Sequence, residues 1–419
     1  TYSSTAEEGT VVSQSPGSGT EVTEGTAVDL VVSRGPEPVS VPDVTHEDRA
    51  TAAEDLAEAG LSAAVTLAGS DVIAEGYVIS QNPAEGETVD SGSVVNLVVA
   101  SGLVTDVQAP LAMVETGGGT FVMGDDSLGC RMHSVTLSPF EIGKFEVTTW
   151  EFCAVLNWAL DMGYLENGSG EPYTGGDGHV NGRRIFDIRT GIHDGVGARI
   201  AFSDGAFAPE VTYGFTRALH PVSSVTWYGT LAFCNWLSEW RGYTPAYDLE
   251  AWELVGVQAG DGVGRFTNGY RVATEAEWEF AAAWDGEQSW LYGVQSNTLD
   301  TTQANFDESN PLGIGGYPHT TVVGYYNGVN PGTVNSTSPV GCYDMAGNVK
   351  EWCYDWSGEY PGEALVDPTG PDDGRYRVYR DGYCGASDPE WLEATYRHSH
   401  YADVEGTDIG FRIVRSLPQ

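Results

Sequence analysis

Short apolar runs, each closed by glycine or proline, recur through the first hundred residues of the chain. Such runs lie at residues 11–14, 29–33, 78–81 and 96–100, and their valine-rich composition predicts four short β-strands. Between the second and third runs, residues 45–61 change to a helical spacing of apolar positions. We therefore expect small modules in which strands accompany a helix.

The strand pattern is repeated along the chain. Residues 9–35 and 76–102 keep a constant offset and are identical at 13 of 27 positions, which predicts an array of similar modules. The first copy has no helix ahead of its strands, so we expect the chain to begin within a module. The helix between the copies should end at Gly60. Its apolar positions at near-helical spacing are Ala50, Ala53, Leu56, Ala57 and Leu61.

From about residue 103 onward the pattern changes to a loop-rich one with a few amphipathic helices. Thr148 or Thr149 is a suitable N-cap for a first helix, and Thr274 with Glu277 forms a capping-box pattern ahead of another. Residues 160–218 show almost no periodicity, so we expect a long loop or contact surface there. The predicted strand edges are Val135–Leu137 and Phe145–Val147.

Three motifs resemble known families. VPDV at 41–44, with the helix and strands that follow, resembles the opening of a PASTA module. YRVATEAEWEF at 270–280 and GCYDMAGNVKEW at 341–352 resemble the sulfatase-modifying-factor family, which has the formylglycine-generating enzyme fold. The resemblance implies an α+β protein: a C-type-lectin-like domain with little regular secondary structure, preceded by small α+β PASTA modules. The expected domains are a partial PASTA module at 1–37, a PASTA module at 38–103 and the formylglycine-generating-enzyme-like domain at 104–419.

The same resemblance gives a criterion for catalysis. The enzymes of this family hold copper with two cysteines near the end of the domain, since soft sulfur is the preferred copper ligand. In the matching stretch here, residues 380–391, those two positions are Ala386 and Trp391. We therefore expect a non-catalytic member that binds no copper, with the oxidase kept as an alternative.

The family resemblance also implies structural calcium, a hard cation held by carbonyl and carboxylate oxygens. The alternative for the first site is a turn with buried hydrogen bonds. A second family site would begin at Asn305 and Phe306, but the acidic residue expected downstream is Gly315 here. The residues predicted for the first site are Gly347, Asn348, Val349 and Glu351.

The tail at 380–412 is rich in aromatic and polar residues of the kind found on adaptable binding loops. Either these side chains bind a ligand or they pack beneath the loops. Variable proteins of diversity-generating retroelements carry their variable residues in this segment of this fold, which gives a second alternative. The candidate ligand-binding residues are Tyr383, Trp391, Tyr396, His398, His400 and Tyr401.

The composition is strongly acidic, because 60 Asp and Glu oppose 19 Lys and Arg to give a formal net charge of −41. Nucleic acids and anionic membranes bind through positive charge, so neither is an expected partner. No run of about 18 apolar residues is present, so we expect no membrane insertion by this chain. The six cysteines form no CxxC pair; they predict either disulfides of undetermined pairing or free buried thiols.

These observations lead to one functional hypothesis. We expect an exported, non-enzymatic protein of the extracellular space or cell surface, with a lectin-like head on a PASTA stalk. The head would bind a protein or glycan ligand, or would contact copies of itself to build a fibre or sheath.

Overall fold

The computed structural model contains two compact units, Thr1–Thr105 with Val211–Thr216 and Asp106–Glu210 with Arg217–Gln419. The predicted α+β class with little regular secondary structure is confirmed. The boundary predicted between residues 103 and 104 borders on residues outside the described ranges. The structure describes residues 1–103, 111–188, 198–255, 266–315 and 317–417.

Four helices and a set of short strands make up the described residues. The helices are α1 (Arg49–Glu58), α2 (Thr149–Asp161), α3 (Trp227–Arg241) and α4 (Glu275–Ala283). The strands are β1 (Val11–Ser15), β2 (Asp29–Val32), β3 (Pro38–Ser40), β4 (Ser62–Ala68), β5 (Val78–Asn82), β6 (Thr88–Asp90), β7 (Val94–Ala100), β8 (Met113–Thr116), β9 (Gly119–Asp125), β10 (Cys130–Leu137), β11 (Phe140–Gly143), β12 (Gly178–Val180), β13 (Arg183–Phe186), β14 (Ile200–Ser203), β15 (Ala206–Pro209), β16 (Val211–Thr212), β17 (Phe215–Thr216), β18 (Tyr247–Asp248), β19 (Glu253–Leu254), β20 (Tyr270–Val272), β21 (Lys350–Trp356), β22 (Leu365–Val366), β23 (Arg377–Arg380), β24 (Arg397–His400), β25 (Ile409–Phe411) and β26 (Ile413–Ser416).

In the smaller unit, strands β5 and β7 of the second repeat join β4 in a sheet, β4-β7-β5, with helix α1 beside it. Asp48 caps α1 by accepting hydrogen bonds from two backbone amides of its first turn. The helix buries Ala52 and Leu56, whereas Ala50, Ala53 and Ala57 are exposed. The helix itself was predicted correctly. Its buried face is narrower than predicted and includes Ala52, which was not predicted, because so small a sheet covers only one side of the helix.

The first repeat has the same strands in a different environment. Strands β1 and β2 pair with each other, and their side chains are exposed throughout. Val11 is 48% exposed whereas its equivalent Val78 is 0% exposed, and Leu30 is 54% exposed whereas Leu97 is 0% exposed. The helix and parallel strand that bury the second copy have no counterpart beside the first copy in the described residues.

The insert at 160–218 differs from the long loop that we expected. It forms the hairpins β12–β13, β14–β15 and β16–β17. Tyr173, Phe186 and Phe207 from this insert are buried in the largest apolar cluster of the larger unit. The expectation failed because these strands are only two to four residues long, which is too short for an alternating pattern to be visible.

The larger unit is built on two four-stranded sheets, β20-β26-β11-β8 and β24-β23-β21-β25. Helices α2 and α3 contribute to one apolar core, and α4 contributes to a second core beneath β9 to β11. Thr274 forms the predicted capping box with Glu277, and of the two predicted N-caps of the first helix it is Thr148 that caps α2, with a capping box to Glu151. The strand edge predicted at Phe145–Val147 is wrong, because the strand is β11 and residues 145–147 lead into the cap of α2.

The six cysteines, all within the described residues, are free thiols, which corrects the disulfide expectation in favour of its alternative. Cys153 and Cys234 belong to one apolar core, and Cys342 and Cys353 belong to another. They act there as small apolar side chains. None of the helices in the described ranges is long and apolar enough to cross a membrane.

Candidate functional site

The sheet β24-β23-β21-β25 carries a group of stacked aromatic side chains. Strand β23 pairs with β24 so that Tyr379 lies opposite His398, and their rings stack with centroids 5.2 Å apart. The Tyr396 ring lies 4.7 Å from that of His398. The Lys350 Nζ atom lies 4.0 Å from the centre of the Tyr383 ring and 5.6 Å from that of Tyr379. We call this group, completed by Asp408, the tyrosine–histidine patch.

The patch is uncharged at neutral pH except for one ion pair. Lys350 pairs with Asp408 at 2.7 Å. Burial, helped by the Lys350 charge, lowers the pKa of His398 to about 4, so its imidazole is neutral at pH 7. Burial, helped by Asp408, raises the pKa of Tyr379 to about 12. Neutral aromatic faces beside a single ion pair form the kind of surface that binds ligands by stacking and a few directed hydrogen bonds.

The structure divides the six predicted ligand-binding residues into three places. Tyr383, Tyr396 and His398 belong to the patch. His400 and Tyr401 lie beyond it, where the Arg375 guanidinium donates to the Tyr401 hydroxyl. Trp391 is half-buried and packs against the apolar cluster of Ala386 and Leu392, against which Tyr383 also packs. Sequence reasoning missed Tyr379, Lys350 and Asp408, although Lys350 is notable as one of only two lysines in the chain.

The two positions at which the enzymes of the resembling family have cysteine are filled by an apolar cluster. Ala386 and Leu392 are both 0% exposed, and Trp391 packs against the same cluster. Cys384, the thiol closest to them in sequence, is hydrogen-bonded to Tyr317, and burial raises its pKa to about 12. Nucleophilic attack and metal binding both need a thiolate. This region therefore lacks a thiol pair and also an ionised thiol.

The predicted first calcium site lies at the start of β21, and all three of its side-chain oxygens already accept hydrogen bonds. The Asn348 Oδ1 atom accepts from the Thr321 amide at 2.9 Å and from the Asn305 Nδ2 atom at 3.3 Å. Arg412 donates to both oxygens of Glu351, at 2.8 and 3.1 Å. Gly347 and Asn305 are neighbours through an isolated parallel bridge, so the two predicted sites share one hydrogen-bonded region.

Two other buried carboxylates adjoin this motif and were not predicted. The Glu146 Oε1 atom accepts from Asn348 at 3.0 Å, and the Asp381 Oδ1 atom accepts from the Gly347 amide at 2.9 Å. The second oxygen of Asp381, Oδ2, has no hydrogen-bond partner, whereas the Glu146 side chain shares a hydrogen bond with the neighbouring Asp344 carboxyl group. Burial, helped by nearby Asp344, raises the pKa of Glu146 well above its usual range.

The site offers one free carboxyl oxygen, Asp381 Oδ2, to a hard divalent cation. Unpartnered carboxyl oxygens beside backbone carbonyls are ligands of the type that calcium takes. Across the described ranges, however, no three His, Cys, Asp or Glu side chains converge as a metal-binding group. A cation here would therefore need the backbone carbonyls that were predicted for Gly347 and Val349.

The motif at 270–280 has a structural role. Glu277 pairs with Arg271 at 2.5 Å, Glu279 pairs with Arg380 at 2.5 Å, and Glu275 pairs with Arg397 at 2.7 Å. All three glutamates are buried, and a buried carboxylate needs a charged and hydrogen-bonded partner. The motif thus ties helix α4 to strands β23 and β24, and it positions the sheet that carries the patch.

Comparison with known proteins gives two family matches. Residues 103–417 match the family described as the sulfatase-modifying factor enzyme 1-like domain, and residues 1–34 and 39–101 match the PASTA domain. The serine/threonine-protein kinase pkn1 of Chlamydia caviae is 30% identical over 204 residues, which cover 48% of this chain and only 25% of the kinase. The formylglycine-generating enzyme of Thermomonospora curvata is 27% identical over 325 residues, 72% of this chain and 92% of the enzyme. Among solved structures, Treponema denticola variable protein 1 is 23% identical with a TM-score of 0.47, covering 73% of this chain and 95% of that chain.

Proposed function

Because the chain belongs to the sulfatase-modifying factor enzyme 1-like family and also carries PASTA domains, we propose that it is a non-oxidase binding protein of the cell surface. The observation that carries this proposal is the apolar filling of positions 386 and 391, where an oxidase of this family needs its thiol pair. The tyrosine–histidine patch is the proposed binding surface, and a glycan or a protein segment is the proposed ligand. The PASTA domains support an extracellular location.

The absence of oxidase activity is tested with copper and a cysteine-containing peptide. The chain, loaded with copper under air, should give no peptide aldehyde by mass spectrometry, because no thiol pair is available to hold the metal. An authentic formylglycine-generating enzyme serves as the positive control. Copper-dependent conversion of the peptide by this chain would refute the proposal.

The binding surface is tested with a glycan array and with purified peptidoglycan in a sedimentation assay. We expect Tyr396→Ala and Tyr383→Ala to weaken retained binding by about tenfold or more each, because aromatic residues at the centre of a binding surface contribute most of its affinity. Tyr164→Ala is the matched control, since Tyr164 is an exposed tyrosine outside the patch. Equal binding by all three variants would exclude the patch as the site.

We also propose calcium at the motif 347–351. The unpartnered Oδ2 atom of buried Asp381 supports this proposal. A cation that binds only the folded chain raises the free energy of unfolding, by about 2.7 kcal/mol at a hundredfold excess over Kd. Thermal unfolding with calcium and with a chelator measures the effect. An unchanged melting temperature in the two conditions would count against the cation.

A further inference from the structure

We propose that Arg199, Arg217 and His220 form a binding site for a small oxyanion, a carboxylate or phosphate group. All three belong to the larger unit, where Arg199 precedes β14, and Arg217 and His220 follow β17. We call them the arginine group. The group shares no residue with the tyrosine–histidine patch or with the motif 347–351, so its test is independent of both.

Arg217 carries a buried guanidinium with unpaired donors. The residue is 1% exposed, and its Nε and Nη2 atoms have no hydrogen-bond partner among the described residues. These two atoms lie on one edge of the guanidinium, the edge that can donate in parallel to two oxygens of a carboxylate or phosphate. Because a buried donor without an acceptor costs free energy, two such donors on one edge mark a place for an oxyanion.

The charge of Arg217 is not balanced by its neighbours. Burial, together with the Arg199 charge, lowers the pKa of Arg217 to about 10, so its guanidinium is still protonated at pH 7. Glu210 acts on Arg217 electrostatically, but its carboxylate pairs with Arg199 at 3.3 Å. Burial raises the pKa of the nearby Cys384 thiol to about 12, so this thiol is neutral at pH 7. Two arginines therefore face one carboxylate, and a buried excess of positive charge favours a bound anion.

His220 can add a third donor to the group. It is 1% exposed, and its Nδ1 atom lies 2.9 Å from the Thr320 Oγ1 atom, whereas its Nε2 atom has no partner among the described residues. Burial and the Arg217 charge lower the pKa of His220 well below its usual range, so the ring is neutral at pH 7. When the Thr320 hydroxyl donates to Nδ1, the ring proton is on Nε2. An oxyanion in the group selects this tautomer, because it accepts the Nε2–H hydrogen bond.

Arg199 is the outermost member of the group and limits the size of the ligand. Its side chain is 13% exposed, and its Nη2 atom donates to the Tyr317 carbonyl at 2.7 Å, while its Nε atom has no partner among the described residues. Tyr317 is itself half-buried. Since Arg217 and His220 are almost fully buried, the group suits a small anion or a single acidic group of a ligand.

The test is thermal unfolding of the whole chain in phosphate, in acetate and in chloride, at equal ionic strength and with a chelator present to remove calcium. At about tenfold excess over Kd, phosphate or acetate should raise the melting temperature of the wild type above that in chloride by about 2 °C or more. Phosphate also stabilises folded proteins by exclusion from their surface, so the response is compared between wild type and variants.

Arg217→Met should lose the extra response to the oxyanion. In chloride this variant should melt at or above the wild-type temperature, because an apolar side chain replaces a buried charge without a full partner. Arg241→Met, at an exposed arginine of the same unit, makes the same change in net charge and should respond as the wild type does. Arg217→Lys keeps the charge but not the two-donor edge, so its phosphate affinity should fall by about tenfold or more in a calorimetric titration.

A response of the wild type to only one of the two anions would support the site and would identify the acidic group that it prefers. Equal responses of the wild type and both Arg217 variants would overturn the site, since the anion would then bind elsewhere. The absence of any oxyanion response in the wild type would overturn it as well, and would assign the arginine group a structural role.

Discussion

The larger unit buries several charged side chains in its interior. Arg380 is 0% exposed and lies between Glu275 and Glu279, at 3.0 and 2.5 Å. Arg377 is enclosed by the rings of Trp227 and Trp356, at 3.7 and 3.4 Å from their centres. Removing one partner of a buried ion pair such as Arg380–Glu279 strongly destabilises the fold, because the other charge is left buried and unpaired.

The buried carboxyl group of Asp355 makes the free energy of unfolding depend on pH. Burial, helped by the Glu275 charge, raises the pKa of Asp355 to about 7. The folded state then binds this proton more tightly than the unfolded state, in which the pKa of an aspartate is about 3.9. The stability contribution is therefore complete below about pH 4 and is lost as the pH rises through about 7.

Asp355→Asn should remove this dependence. The amide oxygen can still accept the Glu275 backbone hydrogen bond, which is 2.8 Å long in the wild type. We expect the variant to be more stable than the wild type at pH 8, by about 1–3 kcal/mol. Urea unfolding between pH 4 and 8 measures it. Asp373→Asn, at an exposed aspartate, is the control, and parallel pH profiles for the wild type and Asp355→Asn would contradict the assignment.

At the scale of elements, one hairpin of the insert belongs to the smaller unit. Phe215 of β17 is 3% exposed and bridges to Ile73, and its ring lies 4.5 Å from that of His46. The Ala74 amide donates to the Gly214 carbonyl at 2.8 Å, and the Thr216 amide donates to the Val72 carbonyl at 2.9 Å. The hairpin therefore adds a strand to the loop that follows β4.

Phe215→Ala should loosen this strand addition. Removal of a buried phenylalanine costs about 3–5 kcal/mol, and the loss here should appear within the smaller unit. Hydrogen exchange at the amides of Ala74 and Thr216 should become faster than in the wild type. Tyr213→Ala is the control, because Tyr213 in the same hairpin is 68% exposed. Unchanged protection of both amides would mean that Phe215 does not hold the hairpin.

The elements that were predicted correctly are those with a strong local signal. Capping boxes at Thr148 and Thr274 mark helix starts through hydrogen bonds made within four residues. The repeated strands were visible because the chain carries the pattern twice. The short hairpins of the insert were not visible, since strands as short as β16 and β17 show no alternating pattern, and β17 is held in addition by Ile73, which is distant in sequence.

The candidate site was predicted only in part for a related reason. The patch depends on the register that places Tyr379 opposite His398, which a single sequence does not reveal. Asp381 was overlooked because the hydrogen bond that it accepts from the Gly347 amide joins residues distant in sequence. Family resemblance identified the motif at 347–351 but not the buried carboxylates that adjoin it.

For the whole molecule, the net charge decides how copies of the chain behave toward each other. With 60 acidic and 19 basic residues, two copies repel at low ionic strength. Several valines and Leu30 on β1 and β2 are nevertheless between 40% and 54% exposed, which provides an apolar surface for association once the repulsion is screened. Self-assembly into a fibre or sheath would use this apolar surface of β1 and β2 and would have to overcome the charge repulsion between copies.

Light scattering at several salt and calcium concentrations shows whether charge repulsion keeps the copies apart or apolar contacts bring them together. If the chain self-assembles, its average mass should rise from that of a monomer as ionic strength shortens the Debye length from about 30 Å at 0.01 M to about 8 Å at 0.15 M. Calcium should act at lower concentration than sodium, because a divalent ion also neutralises carboxylates directly. Leu30→Glu should suppress the rise, while Leu67→Glu, at a residue of β4 that is 67% exposed, should not. A monomer under all conditions would exclude self-assembly of this chain and would leave ligand binding at the patch as its remaining proposed role.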